Sequence, residues 1–304
     1  MEGHNHGESR MERSLRIAII LTSAIFVLEL VGSWVSGSLS LFGDAGHMLR
    51  DVFALAVSLS AVMIAKRLPT KEKTFGYHRV EILAALLNGI LLIVISAWIF
   101  WEAYMRFFSP APIQSLTMLA VAAAGLAVNA AVAFSLHGSH DLNVRSAFFH
   151  VLTDMLSSVA VVFAAVWIMF TGQIIVDPVL GTAIAAIVLL SAVKIIRDSV
   201  HILLGFAPKD VDFNQVIKDM EGVEGVEGVN NVHFWTLSSG INILDAHVFT
   251  RQADMRKIEK MKNHIKARLE KYQIKHATLE FECEVCAECK ECRVNGSKVR
   301  KLKE

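Results

Sequence analysis

Six long apolar stretches fill the first two thirds of the sequence, and they constrain its fold more than any other feature. Several reach the roughly 20 residues that an α-helix needs to cross the hydrocarbon core of a bilayer. The chain has 304 residues, of which 54% are hydrophobic and 19% charged. A large soluble core would not need stretches of this length. We therefore predict an all-α six-helix transmembrane domain followed by a small α/β domain.

Glycine, proline and charged residues separate the apolar stretches. The predicted spans are 17–37, 39–65, 82–105, 115–136, 146–170 and 177–204. After Pro208 the periodicity changes, which predicts helices near 213–220 and 255–272 and strands at 231–237, 241–250 and 276–282. We predict an N-terminal tail at 1–14, the membrane domain at 15–207, the α/β domain at 208–282 and a cysteine-rich tail at 283–304.

Lysine and arginine are distributed unequally between the two sets of predicted loops. One set and its flanks carry Arg10, Arg13, Arg16, Lys66, Arg67, Lys71, Lys73, Arg79, Arg145, Lys194 and Arg197. The other set carries only Arg106. Because basic residues stay on the cytoplasmic side, we predict that both termini are cytoplasmic. We expect the plasma membrane rather than an organellar one, and the net charge of +1 gives no reason to expect nucleic acid.

Ionisable residues lie inside two of the predicted spans, where each is costly and therefore a functional candidate. The second span carries Asp44, His47, Arg50 and Asp51, and the fifth carries His150 and Asp154. A helix turns 100° per residue, so His47 and Asp51 share one face, as do His150 and Asp154. Counting about 1.5 Å per residue from the expected membrane surfaces brings Asp51 and Asp154 to the same depth.

Two imidazoles and two carboxylates form a ligand set that suits tetrahedral Zn²⁺, and the carboxylates balance the charge of the ion. We therefore predict a metal site at His47, Asp51, His150 and Asp154, with Asp44 as an auxiliary ligand. The alternative is that these groups pair between helices or line a proton path. Because ligands must lose protons to bind metal, such a site can couple metal release to proton uptake.

A family resemblance is carried by three segments: Ser38–Asp51 (SLSLFGDAGHMLRD), Phe75–Glu81 (FGYHRVE) and Leu142–Asp154 (LNVRSAFFHVLTD). They resemble the zinc-exporting branch of the cation diffusion facilitator family, over about residues 12–282. The resemblance implies export of Zn²⁺ in exchange for protons by alternating access, a homodimer in the lipid bilayer, and a cytoplasmic domain with a metallochaperone-like, ferredoxin-like fold. It also implies regulatory metal binding near His233, His247, Glu280 and Glu282.

Arg50 departs from the pattern of the family and needs a partner beside the predicted metal site. Glu29 on the first span has a compatible depth, so we predict an Arg50–Glu29 ion pair. Histidine at position 47 is similar to the residue at this place in family members that prefer zinc to cadmium.

Four cysteines stand close to the C-terminus at a regular spacing of three residues: Cys283, Cys286, Cys289 and Cys292. Such a spacing predicts a site for Zn²⁺ or a similar soft ion, and ferredoxin-type spacing leaves an iron–sulfur cluster as an alternative. The third possibility is a disordered tail whose cysteines are reduced thiols without a metal-binding role. His4 and His6 could add ligands from the other terminus.

Three rival functions remain open from the sequence. A membrane metalloenzyme would need an open coordination position, and the chain has no His-Glu-x-x-His segment, so we predict that the protein is not an enzyme. A membrane redox protein would use the cysteine tail. A transporter of another first-row metal or cadmium would use the same imidazoles and carboxylates.

Overall fold

The computed structural model describes residues 3–65, 71, 73–136, 142–238 and 240–282. Within the helices, the side chains of residues 3–18, 58, 61–65, 135–136, 142–151 and 153 lie outside this description. Six long helices form the first part of the described chain: α1 (Gly3–Ser36), α2 (Leu39–Ala65), α3 (His78–Phe108), α4 (Ser115–Leu136), α5 (Leu142–Thr171) and α6 (Val176–Leu203). Each predicted span agrees with one of them to within four residues at both ends, except that α1 begins at Gly3, inside the predicted tail 1–14 and 14 residues before the predicted span. The predicted six-helix domain is confirmed.

Among the residues whose side chains are described, five of these helices, α1 and α3 to α6, contain a stretch that is long and apolar enough to cross a bilayer. The described part of α2 carries Asp44, Arg50 and Asp51 in the first half of the helix. Large apolar side chains also face outward, and the most exposed are Trp34, Phe134 and Phe170 at 88%, 84% and 79%. An apolar exterior of this kind is typical of a helix bundle surrounded by lipid.

Small residues allow the helices to approach closely. Ala122 of α4 and Ala164 and Ala165 of α5 are fully buried in one apolar core, together with Leu92 and Val161. On α1, a Cβ atom added at Gly32 would lie 2.7 Å from the side chain of Val121 on α4. Without a hydrophobic driving force between helices in lipid, such close packing supplies much of their association.

Helix α2 begins at a buried polar network that we call the Asp177 network. Gly37 has a φ of 70°, which glycine adopts readily, and this turn joins α1 to α2 directly. The carboxylate of Asp177, near the start of α6, then accepts hydrogen bonds from the backbone N–H groups of Leu39 and Ser40 at 2.7 and 3.0 Å. It also accepts from the hydroxyls of Ser38 and Ser40, both at 2.6 Å.

Asp177 is fully buried, and Arg106 of α3 is its only basic neighbour among the ion pairs of the described residues, with Nη1 3.6 Å from the carboxylate. Arg106 also donates to the carbonyl of Gly37 and to Glu102. Because Asp177 satisfies N–H groups that have no partner within α2, it replaces the usual N-cap side chain. The network therefore fastens the start of α2 to α6 and α3.

The chain divides into two compact units at residues 197 and 198, and the second unit forms a sheet with helices. Its elements are α7 (Phe213–Glu221), β1 (Gly228–Ser238), β2 (Ile241–Phe249), α8 (Met255–Leu269), a 3₁₀ turn (Glu270–Tyr272) and β3 (Ile274–Glu282). The strand order is β1-β2-β3, with β1 antiparallel and β3 parallel to β2. The predicted small α/β domain is confirmed.

Both helices of this unit begin at aspartate caps. The side chain of Asp212 accepts hydrogen bonds from two backbone N–H groups of α7, and Asp254 accepts one from Arg256 in α8. Val216, Leu244 and Ile265 are fully buried in one apolar core that the helices share with the sheet. The capped helices thus hold the sheet, whose strands carry the second set of candidate ligands.

Asp219 connects α7 to the turn after α8. Lys271 and Tyr272 both donate to its carboxylate, at 2.5 Å each. These hydrogen bonds lower the pKa of Asp219 to about 2, with the contact to Lys271 as the main cause, and raise the pKa of Lys271. Both groups are therefore charged at neutral pH, and the contact persists over the physiological range.

Candidate metal centre

His47, Asp51 and Asp154 meet inside the helical unit. His47 and Asp51 stand one turn apart on α2, and Asp154 approaches them from α5. The Nδ1 atom of His47 lies 3.4 Å from Oδ2 of Asp51 and 3.8 Å from Oδ1 of Asp154. One ligand atom from each of the three residues lies within 4.8 Å of the others. Asp51 and Asp154 therefore do lie at one level, as the depth count from the sequence expects.

These distances suit a small divalent ion. Tetrahedral coordination with bonds of about 2.0–2.1 Å places neighbouring ligand atoms roughly 3.3 Å apart, close to the separations from His47. The three side chains are 8%, 9% and 16% exposed, so the group is largely removed from solvent. A carboxylate pair in such surroundings needs a compensating positive charge. The arrangement can hold a divalent cation with little rearrangement.

His150, the fourth predicted ligand, lies on α5 one turn before Asp154. Its side chain lies outside the described residues. Helical spacing puts the Cα atoms of His150 and Asp154 on the same face, so its ligation stays a prediction from the sequence.

Asp44, the predicted auxiliary ligand, is not among the three residues whose ligand atoms lie within 4.8 Å of one another, and its ligation stays a prediction. Its carboxylate accepts a hydrogen bond from Ser157 at 2.6 Å and another from Ser158 at 3.3 Å, both on α5. These contacts occupy both carboxylate oxygens and tie α2 to α5 one turn from His47. Sequence reasoning missed the role of these two serines. The signal that could have identified them is a pair of adjacent hydroxyl residues within an apolar span.

The predicted Arg50–Glu29 ion pair is wrong. The guanidinium of Arg50 contacts Asp51 at 3.0 Å and the hydroxyl of Ser191 on α6 at 3.3 Å. Glu29 is fully buried, and a Cβ atom added at Gly125 on α4 would lie 2.5 Å from its Oε1 atom. The pair was predicted from the depth of the two residues alone. In the structure, Glu29 lies against α4, whereas Arg50 contacts Asp51 on its own helix and Ser191 on α6.

A second polar cluster lies on the sheet of the second unit. The Nδ1 atom of His247 on β2 lies 2.6 Å from Glu282, and its Nε2 atom lies 3.6 Å from Glu280, both on β3. His233 does not contact His247 directly. Both imidazoles instead contact the side chain of Asn231, at 3.0 and 3.1 Å.

The backbone register accounts for the positions of the two imidazoles. Asn231 has a φ of 48°, and the register between β1 and β2 shifts between Asn230 and His233. His247 pairs with Asn230, and after the shift His233 pairs with Asp245, two residues before His247. Sequence reasoning missed this bulge.

The buried Oε2 atom of Glu282 has no hydrogen-bond partner among the described residues. The cluster around His247 therefore offers one imidazole and two carboxylates on adjacent strands. The cysteines predicted as metal ligands, Cys283, Cys286, Cys289 and Cys292, lie outside the described residues, as do the side chains of His4 and His6.

Comparisons with known proteins cover nearly the whole chain. Residues 15–204 match the cation efflux transmembrane domain family, and residues 208–283 match the cytoplasmic domain family of cation efflux proteins. The chain is 38% identical over 287 residues to a protein of Bacillus subtilis (strain 168) named cadmium, cobalt and zinc/H(+)-K(+) antiporter, with 93% of this chain and 92% of the relative covered.

Two further relatives are named zinc transporter ZitB. The protein of Pectobacterium atrosepticum is 39% identical over 289 residues, covering 93% of this chain and 89% of the relative. The protein of Escherichia coli (strain K12) is 37% identical over 293 residues, covering 93% of each chain. Together with the helical domain and the α/β domain, these matches confirm the resemblance: the chain is a multi-pass membrane protein of the cation efflux family, the cation diffusion facilitators.

Proposed function

We propose that this protein exports Zn²⁺ from the cytoplasm, with His47, Asp51, His150 and Asp154 as the ligands of the transported ion. The observation that carries the proposal is the convergence of His47, Asp51 and Asp154 from two membrane helices at distances suited to tetrahedral coordination. Relatives named as zinc transporters support the choice of ion. The proposal does not include catalytic activity.

Zn²⁺ is proposed to leave in exchange for protons by alternating access. An imidazole and carboxylates bind metal only when deprotonated, so protons entering from outside compete with the bound ion and promote its release. The name of the Bacillus subtilis relative includes proton exchange, which supports this coupling.

The test of this function uses inside-out vesicles that contain the full-length protein. We expect Zn²⁺ uptake to rise several-fold when the vesicle interior is made acidic, because interior protons then drive metal release into the lumen. Vesicles without the protein give the background. Uptake that exceeds the background but ignores the imposed pH gradient would contradict proton exchange, and uptake no greater than the background would contradict zinc export.

Cadmium and cobalt are the alternative substrates with specific support, because both metals stand in the name of the Bacillus subtilis relative. Imidazole and carboxylate ligands accept all of these ions, so the ligand set alone does not separate them. Competition by Cd²⁺ and Co²⁺ against Zn²⁺ uptake in the same vesicles measures the preference.

Orientation and assembly complete the proposal. The distribution of lysine and arginine supports cytoplasmic termini, and the bacterial relatives support the plasma membrane. We propose a homodimer, since the family resemblance implies one. Accessibility labelling of introduced cysteines from either side of the membrane, and the mass of the purified protein in detergent, test these two points.

The cytoplasmic unit is proposed to bind regulatory Zn²⁺ at His247, Glu280 and Glu282. Two observations support this assignment: the short contact of His247 to Glu282, and the Oε2 atom of Glu282, which has no hydrogen-bond partner within the described part of the chain. We expect the substitution His247→Ala to remove one bound Zn²⁺ per chain in a calorimetric titration, while Asp51→Ala removes a different one. An unchanged stoichiometry in His247→Ala would contradict a site on the sheet.

The cysteine tail is proposed to bind Zn²⁺, and visible absorbance of purified protein would indicate an iron–sulfur cluster instead.

A further inference from the structure

Arg50 has a fixed position beside the metal centre. Its Nε and Nη2 atoms both donate to Oδ1 of Asp51, at 3.1 and 3.0 Å. Its Nη1 atom donates to the hydroxyl of Ser191 on α6 at 3.3 Å. The guanidinium is thus held from two sides, by a predicted metal ligand on its own helix and by a neighbouring helix.

The contact of Arg50 with His47 is a stacking contact rather than a hydrogen bond. The Nη2 atom lies 3.4 Å from both Nδ1 and Nε2 of the imidazole. A donor in the ring plane could not be equally distant from both nitrogens without touching the carbon between them, so the Nη2 atom lies over the ring face. Arginine commonly stacks in this way. The ring nitrogens of His47 therefore keep their in-plane directions for other ligands.

Arg50 consequently adds a permanent positive charge next to two of the proposed ligands, because arginine does not lose its proton in proteins. Asp51 and Asp154 together carry two negative charges, which a divalent ion neutralises. Asp51, Asp154 and Arg50 together carry one positive charge when the ion is bound and one negative charge when neither the ion nor protons are bound. Without Arg50, the two carboxylates would carry two uncompensated negative charges until protons bind, which is much more costly inside a membrane.

We propose that Arg50 sets the affinity of this site for its transported ion, acting as a tethered cation that competes with the metal for Asp51. It stabilises the site after release and weakens binding, so that the ion leaves quickly. Ser191 supplies a fixed point on α6 that keeps the guanidinium near the site. This inference rests on the proposed function, since it assumes that the group binds a divalent cation.

The test compares Zn²⁺ binding to purified full-length protein by competition with a chromophoric chelator. The substitution Arg50→Gln removes the charge and keeps polarity, and it should lower the dissociation constant about tenfold or more because a repulsive charge near the ion is lost. In vesicles, KM should fall in parallel while the maximal rate falls at least about threefold, since release becomes slower. Arg50→Lys keeps the positive charge but not the contacts of the guanidinium, so its dissociation constant should lie between those of Arg50→Gln and the wild type.

Arg197→Gln is the matched control, because it removes an exposed arginine of α6 that is outside the metal centre. It should change neither binding nor transport. Arg50→Met is a second charge-removing variant of similar length, for use if Arg50→Gln does not fold. Equal or weaker Zn²⁺ binding after loss of the Arg50 charge overturns the inference. A wild-type protein that neither binds Zn²⁺ nor transports it overturns the proposed function itself, which is a separate outcome.

Discussion

Replacement of Asp51 by alanine is expected to abolish Zn²⁺ export. Asp51 supplies one carboxylate of the proposed metal group, and its removal also leaves the guanidinium of Arg50 without its 3.0 Å ion pair. Groups that merely support a metal ligand typically contribute 10–100-fold to affinity, so loss of a ligand should reduce transport by about 100-fold or more. Initial rates of Zn²⁺ uptake into inside-out vesicles, normalised to the amount of protein, measure the effect.

Asp154→Ala should give the same loss, because Asp154 provides the ligand atom from α5. Asp198→Ala is the matched control: it removes an aspartate that is 46% exposed and pairs with Lys209 outside the metal group. Surface ion pairs of this kind contribute little, so transport should stay close to wild type. Retention of normal zinc uptake in Asp51→Ala, with the protein correctly inserted, would contradict the proposed site.

The architecture of this protein follows from local sequence features. The apolar stretches predict the ends of the six helices to within four residues, except for the start of α1, and Gly37 forms the tight turn between the first two. The pairing of His47 and Asp51 follows from helical spacing, since residues four apart share a face. The depth of Asp154 follows from the rise of the helix. These features depend on one helix at a time, which is why the sequence sufficed to predict them.

Contacts between helices could not be predicted in the same way. The depth count placed Glu29 and Arg50 at compatible levels, but it carries no information on the direction in which each side chain points. Arg50 instead lies against Asp51 and Ser191, and Glu29 lies against Gly125. Rotation of each helix about its axis is set by the packing of the whole bundle. That packing also creates the contacts of Asp44 with the serines of α5.

The positions of the proposed ligands on the sheet were predictable only in part. The strands that carry His247 and Glu282 follow from alternating apolar residues. Asparagine is one of the residues that adopt a positive φ most readily, but the sequence Val-Asn-Asn-Val does not show which of its two asparagines forms the bulge. That one irregular residue shifts the register by one, so that His233 pairs with Asp245 rather than with Leu244.

The substitution Asp177→Ala is expected to destabilise the membrane domain strongly. It deletes an acceptor of four hydrogen bonds, leaves the N–H groups of Leu39 and Ser40 without their partner, and removes a buried counter-charge of Arg106. Removal of one partner from a buried charged network costs about 3–5 kcal/mol. The midpoint of thermal unfolding in detergent, followed by tryptophan fluorescence, should fall by roughly 10 °C. Zinc transport should fall as well, because α2 carries His47 and Asp51.

Glu102→Ala provides the control, because Glu102 is also an acidic partner of Arg106 but is 30% exposed. It leaves Asp177 and the N–H groups of α2 in contact, so its midpoint should fall by no more than about 3 °C. Asp177→Asn separates charge from hydrogen bonding: it keeps an acceptor for α2 but loses the charge that faces Arg106, and its midpoint should lie between those of the other two variants. If Asp177→Ala unfolds at the same temperature as Glu102→Ala, then the start of α2 is held by helix packing alone, and the Asp177 network contributes nothing to it.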